Sequence, residues 1–288
     1  MKYLLQHSSA ILLIDYFGFI VGVSLLECIF PLRGAGELLR TRWIGNIGVG
    51  IVDFIVIRLL FPTLGIATAM ISGQRGWGLF SHVHVPLWAE ALLAIPLLDL
   101  IAYSQHRLFH RLTFLWRIHR THHSDQDFDF STAFRFHPLE AILETLTNLA
   151  AIAVLAPHLP VVFVAQILST SQSFLEHGNI QMPARLERIL RIAFVTSGMH
   201  RIHHSQDDRE CLANFSFIFS WWDRLFNTYV EHPKLKPEAM SFGVAEFQAR
   251  KHQTLPWIIA QPFLGARDEF GGQTRNSEFE GQTRNLSR

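Results

Sequence analysis

The sequence predicts an all-α integral membrane protein, with about four to five transmembrane or re-entrant helices and a histidine cluster at their cytoplasmic end. Three observations predict it. Hydrophobic residues make up 49% of the 288 positions and charged residues only 17%, with a mean hydropathy of +0.20. That balance is unusual for a water-soluble globule. Apolar stretches of the length that crosses a bilayer, about 20 residues, recur as far as residue 174. The sixteen histidines fall mostly between 106 and 204, largely outside those stretches. A net charge of +1 gives no basis for nucleic-acid binding. The two cysteines, Cys28 and Cys211, have no cysteine neighbours, so a disulfide scaffold or Cys-rich zinc site is not expected.

The first span is "AILLIDYFGFIVGVSLLECIF" (10–30). It is too long for a signal-peptide core and lacks a small-residue cleavage site after it. The second is "IGNIGVGIVDFIVIRLLF" (44–61) and the third "VPLWAEALLAIPLLDLIAY" (85–103). Residues 140–174 read as a hairpin of two short helices, bent at Pro157 and Pro160, where proline disfavours a continuing helix. Each arm is short enough to be re-entrant. Asp15, Asp53, Arg58 and Glu90 lie inside these apolar segments. Intramembrane charges are costly, so pairing between helices is the first expectation for each. Orientation follows from arginine placement. Arg33, Arg40 and Arg42 follow the first span, and Arg107, Arg111, Arg117, Arg120 and Arg135 follow the third. Only Arg75 follows the second. Alternation then puts the histidine region on the cytoplasmic side.

Asp99, Tyr103, His106 and His110 are spaced four, three and four apart, which makes one stripe on a helix. "HRTHHS" (119–124) and "HRIHHS" (200–205) repeat the logic with His119, His122, His123 and His200, His203, His204. Residues at i, i+3 and i+4 are expected on one side. One such box is commonly surface or core. Three boxes are different, because each buried ring nitrogen needs a partner. Metal coordination satisfies all eight rings, and eight nitrogens exceed one ion's capacity. Two ions side by side is the economical reading, and imidazole suits zinc, iron, copper or nickel. His177, in "EHGNI", emerges at the same face and is a ninth candidate, against a capping role. Asn179 could assist through a water. Asp99 is a candidate to orient a ligand N–H, as are Asp125, Asp207, Asp208 and Glu210. Tyr103 shares its stripe. His137, before a proline, reads more as a helix start. Arg107, Arg120 and Arg201 read as positive-inside charge or headgroup contacts. The aromatic run "NFSFIFSWWDRLFNTY" (214–229) reads as packing.

These residues resemble a known family. "DLIAYSQHRLFH" (99–110), "LWRIHRTHHSD" (115–125), "FRFHPLE" (134–140), "HGN" (177–179), "HRIHHS" and "NFSFIFSWWDRLFNTY" are similar, in this order, to the fatty acid hydroxylase and sterol desaturase superfamily of integral-membrane di-iron oxygenases. The resemblance implies a bundle of transmembrane helices topped by a cytosolic helical cap carrying the histidines. It implies two iron ions held by the eight box histidines with His177 between, O2 as co-substrate, and no catalytic residue beyond that centre. The reaction implied is hydroxylation or desaturation of an unactivated C–H of a lipid. One departure is Asn227, where the family often has glycine. No dinucleotide fingerprint, haem-attachment motif or ferredoxin cysteine set is present. Electrons are therefore expected from a separate ferredoxin or cytochrome b5-type donor with its reductase.

Two other readings compete. A membrane zinc hydrolase would want a glutamate inside a box, as in H-E-x-x-H, and neither HxxHH has one. A divalent-metal transporter would place its site near the bilayer midplane, whereas these histidines sit at and beyond the helix ends. The expected division is N-terminal transmembrane helices over 1–104, a histidine-box region over 105–265 that includes the hairpin at about 140–176, and a polar tail over 266–288. In that tail "EFGGQTRN" recurs as "EFEGQTRN", and it is expected to be disordered.

Overall fold

The computed structural model describes residues 2–61 and 64–265. The repeated tail read as disordered lies outside them. Helices and short 3-10 turns carry the described residues, and no strand is present among them; isolated bridges such as Pro31 with Ile180 tie loops together. The long helices are α1 (Lys2–Ile29), α2 (Leu39–Leu60), α3 (Leu64–Arg75), α4 (Leu87–Arg111), α6 (Pro138–Leu155) and α7 (Leu159–Glu176). Shorter helices carry the rest: α5 (Thr113–His123), α8 (Ala184–Leu190), α9 (Ser197–His203), α10 (Asp208–Cys211), α11 (Trp221–Leu225) and α12 (Leu255–Ala260).

Four stretches among the described residues are long and apolar enough to cross a membrane: Ala10–Ile29, Leu39–Arg75, Leu87–Arg111 and Pro138–Leu155. Large apolar side chains such as Ile14, Phe54, Leu59 and Leu92 project outward from them. A face of that kind belongs against lipid. The chain is an integral membrane protein. One feature differs from the sequence reading. Helix α2 ends at Leu60, close to the expected end of the second span, but residues 64–75, where no span was expected, form α3 against α6 and α7. Small residues permit this approach: a Cβ on Gly65 would sit 2.9 Å from Ile152 Cδ1. As the stripe of Asp99, Tyr103, His106 and His110 leads one to expect, helix α4 runs unbroken from the third span to Arg111, through an internal Pro96. His106 and His110 therefore stand on the span itself.

The hairpin is formed by α6 and α7, with Ala156 in the left-handed region ending the first arm. Glu90, read as an intramembrane charge, accepts from the His158 backbone N–H at 2.5 Å and meets its Nδ1 at 2.6 Å. It thereby fastens the start of α4 to the hairpin tip. Asp15 accepts from Ser171 Oγ at 3.3 Å, and Arg58 lies over the Phe54 ring.

At the histidine end a buried polar frame joins α2 to the strap between α5 and α6. Arg42 pairs with Asp125 and donates to Asp129 Oδ2 at 2.8 Å. Asn46 donates to Asp125 Oδ2 at 2.8 Å and accepts from Arg135 Nη1 at 2.8 Å. Arg135, fully buried, also donates to Thr121 O and Ser124 Oγ. Burial by itself would raise the Asp125 carboxyl, but the Arg42 and Arg135 guanidiniums outweigh it and hold it down at about 2. Arg42, Arg120, Arg135 and Arg201 are buried. The headgroup reading of Arg120 and Arg201 is corrected: Arg120 donates to Gln261 O and Leu264 O, and Arg201 to Gly178 O.

Removing one partner from this frame leaves an uncompensated buried charge, which costs about 3–5 kcal/mol. Arg42→Ala is expected to lower stability by about that much, measured as unfolding in detergent micelles. Arg40→Ala, at an exposed position, is expected to change it by less than about 0.5 kcal/mol.

Candidate metal centre

Three helices, α4, α5 and α9, and the end of α7 bring nine histidines together as two groups. His106, His110, His119, His123 and His203 form the first; His122, His177, His200 and His204 form the second. Within each group the ligand-capable atoms lie within 4.8 Å of one another. All nine except His106 are buried. The expectation that i, i+3 and i+4 share one side needs refining. Successive side chains on a helix are about 100° apart, and each HxxHH box splits on that angle. Box 119–123 gives its i, i+4 pair to the first group and His122 to the second. Box 200–204 does the reverse, with His203 crossing to the first.

The rings are aimed by what holds Nδ1. His106 Nδ1 meets Phe215 O at 2.9 Å, His122 meets Arg135 O at 3.2 Å, His177 meets Ser173 O at 2.7 Å and His203 meets Ala213 O at 2.8 Å. His119 Nδ1 meets the Glu140 carboxylate. Carbonyls only accept, so Nδ1 donates and each neutral ring turns a bare Nε2 lone pair inward. His106 Nε2 and His203 Nε2 are buried without a hydrogen-bond partner. His122 Nε2 and His177 Nε2 lie 3.2 Å apart. Two lone pairs cannot bond to each other, so such rings are arranged to share a cation. Protons are poor candidates. Burial pushes His119 down to about 3 and His177 to about 4, and holds His122, His123, His200, His203 and His204 well below the ordinary imidazole value.

The spacing fits a metal. Nitrogens about 2.1 Å from a shared ion lie about 3.0 Å apart in octahedral and about 3.4 Å in tetrahedral arrangement. The Nε2 separations for His119–His123, His177–His200 and His200–His204 are 3.2, 3.1 and 3.1 Å. The cluster can hold metal ions.

The remaining sequence candidates do other work. Asp99 touches no histidine through a described hydrogen bond. It accepts from Ile218 N at 2.9 Å, Phe219 N at 3.0 Å and Trp222 Nε1 at 3.0 Å. Tyr103 bonds Thr228 Oγ1 at 2.9 Å. Both thus secure the 213–229 segment, whose carbonyls at Ala213 and Phe215 receive His203 and His106. That aromatic run is more than packing. His137 caps α6, accepting from Leu139 N, and its Nε2 reaches Ile259 O at 3.1 Å. Asn179 is fastened to the Arg33 backbone at 3.1 and 2.9 Å. Asp125 is taken up by Arg42, and Asp207 by Lys234. Asn227 has φ 55. Asparagine tolerates that left-handed region better than most residues, so the departure from glycine is accommodated.

Glu140 was missed. It was visible as an acid in the first turn of an apolar helix, within "FRFHPLE", but no periodicity ties it to a box. Four phenyl rings wall the groups: Phe109 stacks on His119, Phe136 on His122, Phe215 lies edge-on to His106, His110 and His203, and Phe128 faces His177, His200 and His204. A carboxylate behind a ligating imidazole typically sets metal affinity by 10–100-fold. Glu140→Ala is expected to weaken metal binding by about that factor, whereas His137→Ala leaves the number of bound ions unchanged, both read by elemental analysis after dialysis against a chelator.

A family model described as fatty acid hydroxylase matches residues 91–228. Ornithine lipid hydroxylase OlsE of Rhizobium tropici is 26% identical over 62% of this chain and 51% of its own length. Alkylglycerol monooxygenase of Homo sapiens is 30% identical over 49% of this chain and 30% of its own. Methylsterol monooxygenase 1 of Rattus norvegicus is 26% identical over 51% and 50%. The chain thus spans about half or less of the length of these curated relatives. No solved structure matches it significantly. The matched region begins in α4 and ends at Thr228, taking in every histidine of both groups, and through it the chain belongs to the fatty acid hydroxylase and sterol desaturase superfamily.

Proposed function

We propose that the protein is a membrane-bound di-iron oxygenase that hydroxylates or desaturates an unactivated C–H of a lipid. The observation that carries this is the convergence of nine imidazoles, eight of them buried, in two groups at the end of apolar spans. The relatives named above modify ornithine lipid, alkylglycerol and methylsterol, which supports a lipid substrate. Hydroxylation balances as RH + O2 + 2 electrons + 2 protons giving ROH + H2O. Iron held by the two groups would supply the O2 chemistry that an unactivated C–H requires.

The chain's own residues supply the rest. Glu140, Ser173 O, Arg135 O, Ala213 O and Phe215 O aim the rings by holding Nδ1, while burial keeps the rings neutral, so that no proton competes for Nε2. The phenyl wall of Phe109, Phe128, Phe136 and Phe215 excludes water from the reacting carbon. The spans let an apolar chain approach from the bilayer. Electrons come from a separate ferredoxin or cytochrome b5-type protein with its reductase, since the sequence lacks motifs for a redox cofactor of its own. Arg33 and Arg40, the latter two residues from the Arg42 frame, lie at the same end as the histidines, which supports a cytoplasmic cluster.

The account predicts about two irons per chain, against one zinc for a hydrolase or a freely exchanging ion for a transporter. It also predicts a lipid product in cells carrying the wild type that is absent with His203→Ala. Identical lipid profiles from the two would contradict an enzymatic role.

A further inference from the structure

One buried thiol is not used by anything above. Cys211 Sγ lies 3.9 Å from Nδ1 of His110 and 3.9 Å from Nδ1 of His123. Both rings belong to the first histidine group. Elsewhere in the cluster the Nδ1 contacts described above go to oxygen. Here the position behind two rings is filled by a single sulfur, at the end of α10. That helix is fixed at both ends: Asp207 caps its start and pairs with Lys234, and Glu210 accepts from the Lys234 backbone N–H. The sulfur's surroundings are apolar, packed with Trp116, Val244 and Phe247. The Trp116 ring centroid is 5.0 Å from His110 and 5.5 Å from His123.

The geometry points to Cys211 as a positioning residue for the first metal ion alone. This rests on the proposed reading of the centre. A thiol sulfur has two lone pairs and weakly accepts from N–H, so one atom can receive both Nδ1–H groups. Its size matters as much as its chemistry. A hydroxyl or methyl on the same Cβ is shorter and would stand off from both rings. Held from behind, His110 and His123 present Nε2 inward, and His123 Nε2 is 3.2 Å from His119 Nε2. The second group, His122, His177, His200 and His204, has no such contact with Cys211 among the described hydrogen bonds. The sulfur stays outside the coordination sphere, and no bond to it forms or breaks.

The test is a titration of the detergent-solubilised, metal-stripped full chain with cobalt(II) against a fluorescent chelator, with the cobalt visible spectrum followed in parallel. Cobalt(II) suits imidazole sites. Wild type and Cys28→Ala should take up two ions per chain tightly. Cys211→Ala should weaken one ion about 10–100-fold and leave the other at wild-type affinity. Cys211→Val fills the same apolar space without a usable acceptor and should behave like Cys211→Ala. If Cys211→Val restored two tight ions, the sulfur would be packing only. Unchanged binding in both variants would also overturn the proposal, as would equal weakening of both ions. A wild type that bound no cobalt would instead overturn the metal-centre reading itself.

Discussion

The site depends on one repeated constraint: an imidazole whose Nδ1–H is committed to a buried acceptor has only its Nε2 lone pair left to offer. Four backbone carbonyls and one carboxylate impose it on five rings. Desolvation imposes the other half, because it keeps the rings neutral outside the span. Together these leave a dense set of lone pairs facing each other at close to 3 Å, tolerable only around cations. Metal ions held there would satisfy those lone pairs together. Carbonyls are well suited to this work, since they cannot reverse donor and acceptor roles as an amide or hydroxyl can.

Each acceptor is in turn fixed by a different part of the fold. Ser173 belongs to the last turn of α7, so the second arm of the hairpin aims His177. Arg135 O belongs to the strap whose side chains are clamped by Arg42 and Asn46 of α2. Ala213 and Phe215 belong to the segment that Asp99 of α4 holds by two backbone N–H groups and Trp222. Asp223 reinforces that segment by accepting from Phe215 N and Ser216 N. Spans and cap are therefore one mechanical unit. Asp99, costly in lipid if unpaired, is satisfied by the Ile218, Phe219 and Trp222 N–H donors, and the segment it secures carries the carbonyls that receive His203 and His106.

Much of this was readable before the fold. The apolar spans and the hairpin announced themselves by length, and the helical repeat placed His106 and His110 together on α4. What spacing could not show is the exchange between the HxxHH boxes, because the neighbours of His122 come from the ends of α7 and α9. Nor could it show Glu140, whose pairing with His119 links residues on two helices joined by a strap. Asp99 illustrates the opposite error. It lies on the ligand stripe, yet its carboxylate points at backbone N–H groups, which compete well for a buried acceptor. Helix α3 carries no clear span signal because Gly, Ala, Thr and Ser dilute its apolar character, while a small residue such as Gly65 is what lets it approach α6. Arg42 and Arg135 looked like surface charge; only the fold shows the aspartates that neutralise them.

The most direct measurement is iron-edge X-ray absorption on the reconstituted chain. The account predicts a first shell dominated by imidazole nitrogen at about 2.0–2.2 Å, with the outer-shell pattern of histidine rings and no sulfur. A shell built mainly of oxygen, or one containing thiolate sulfur at about 2.3 Å, would contradict it.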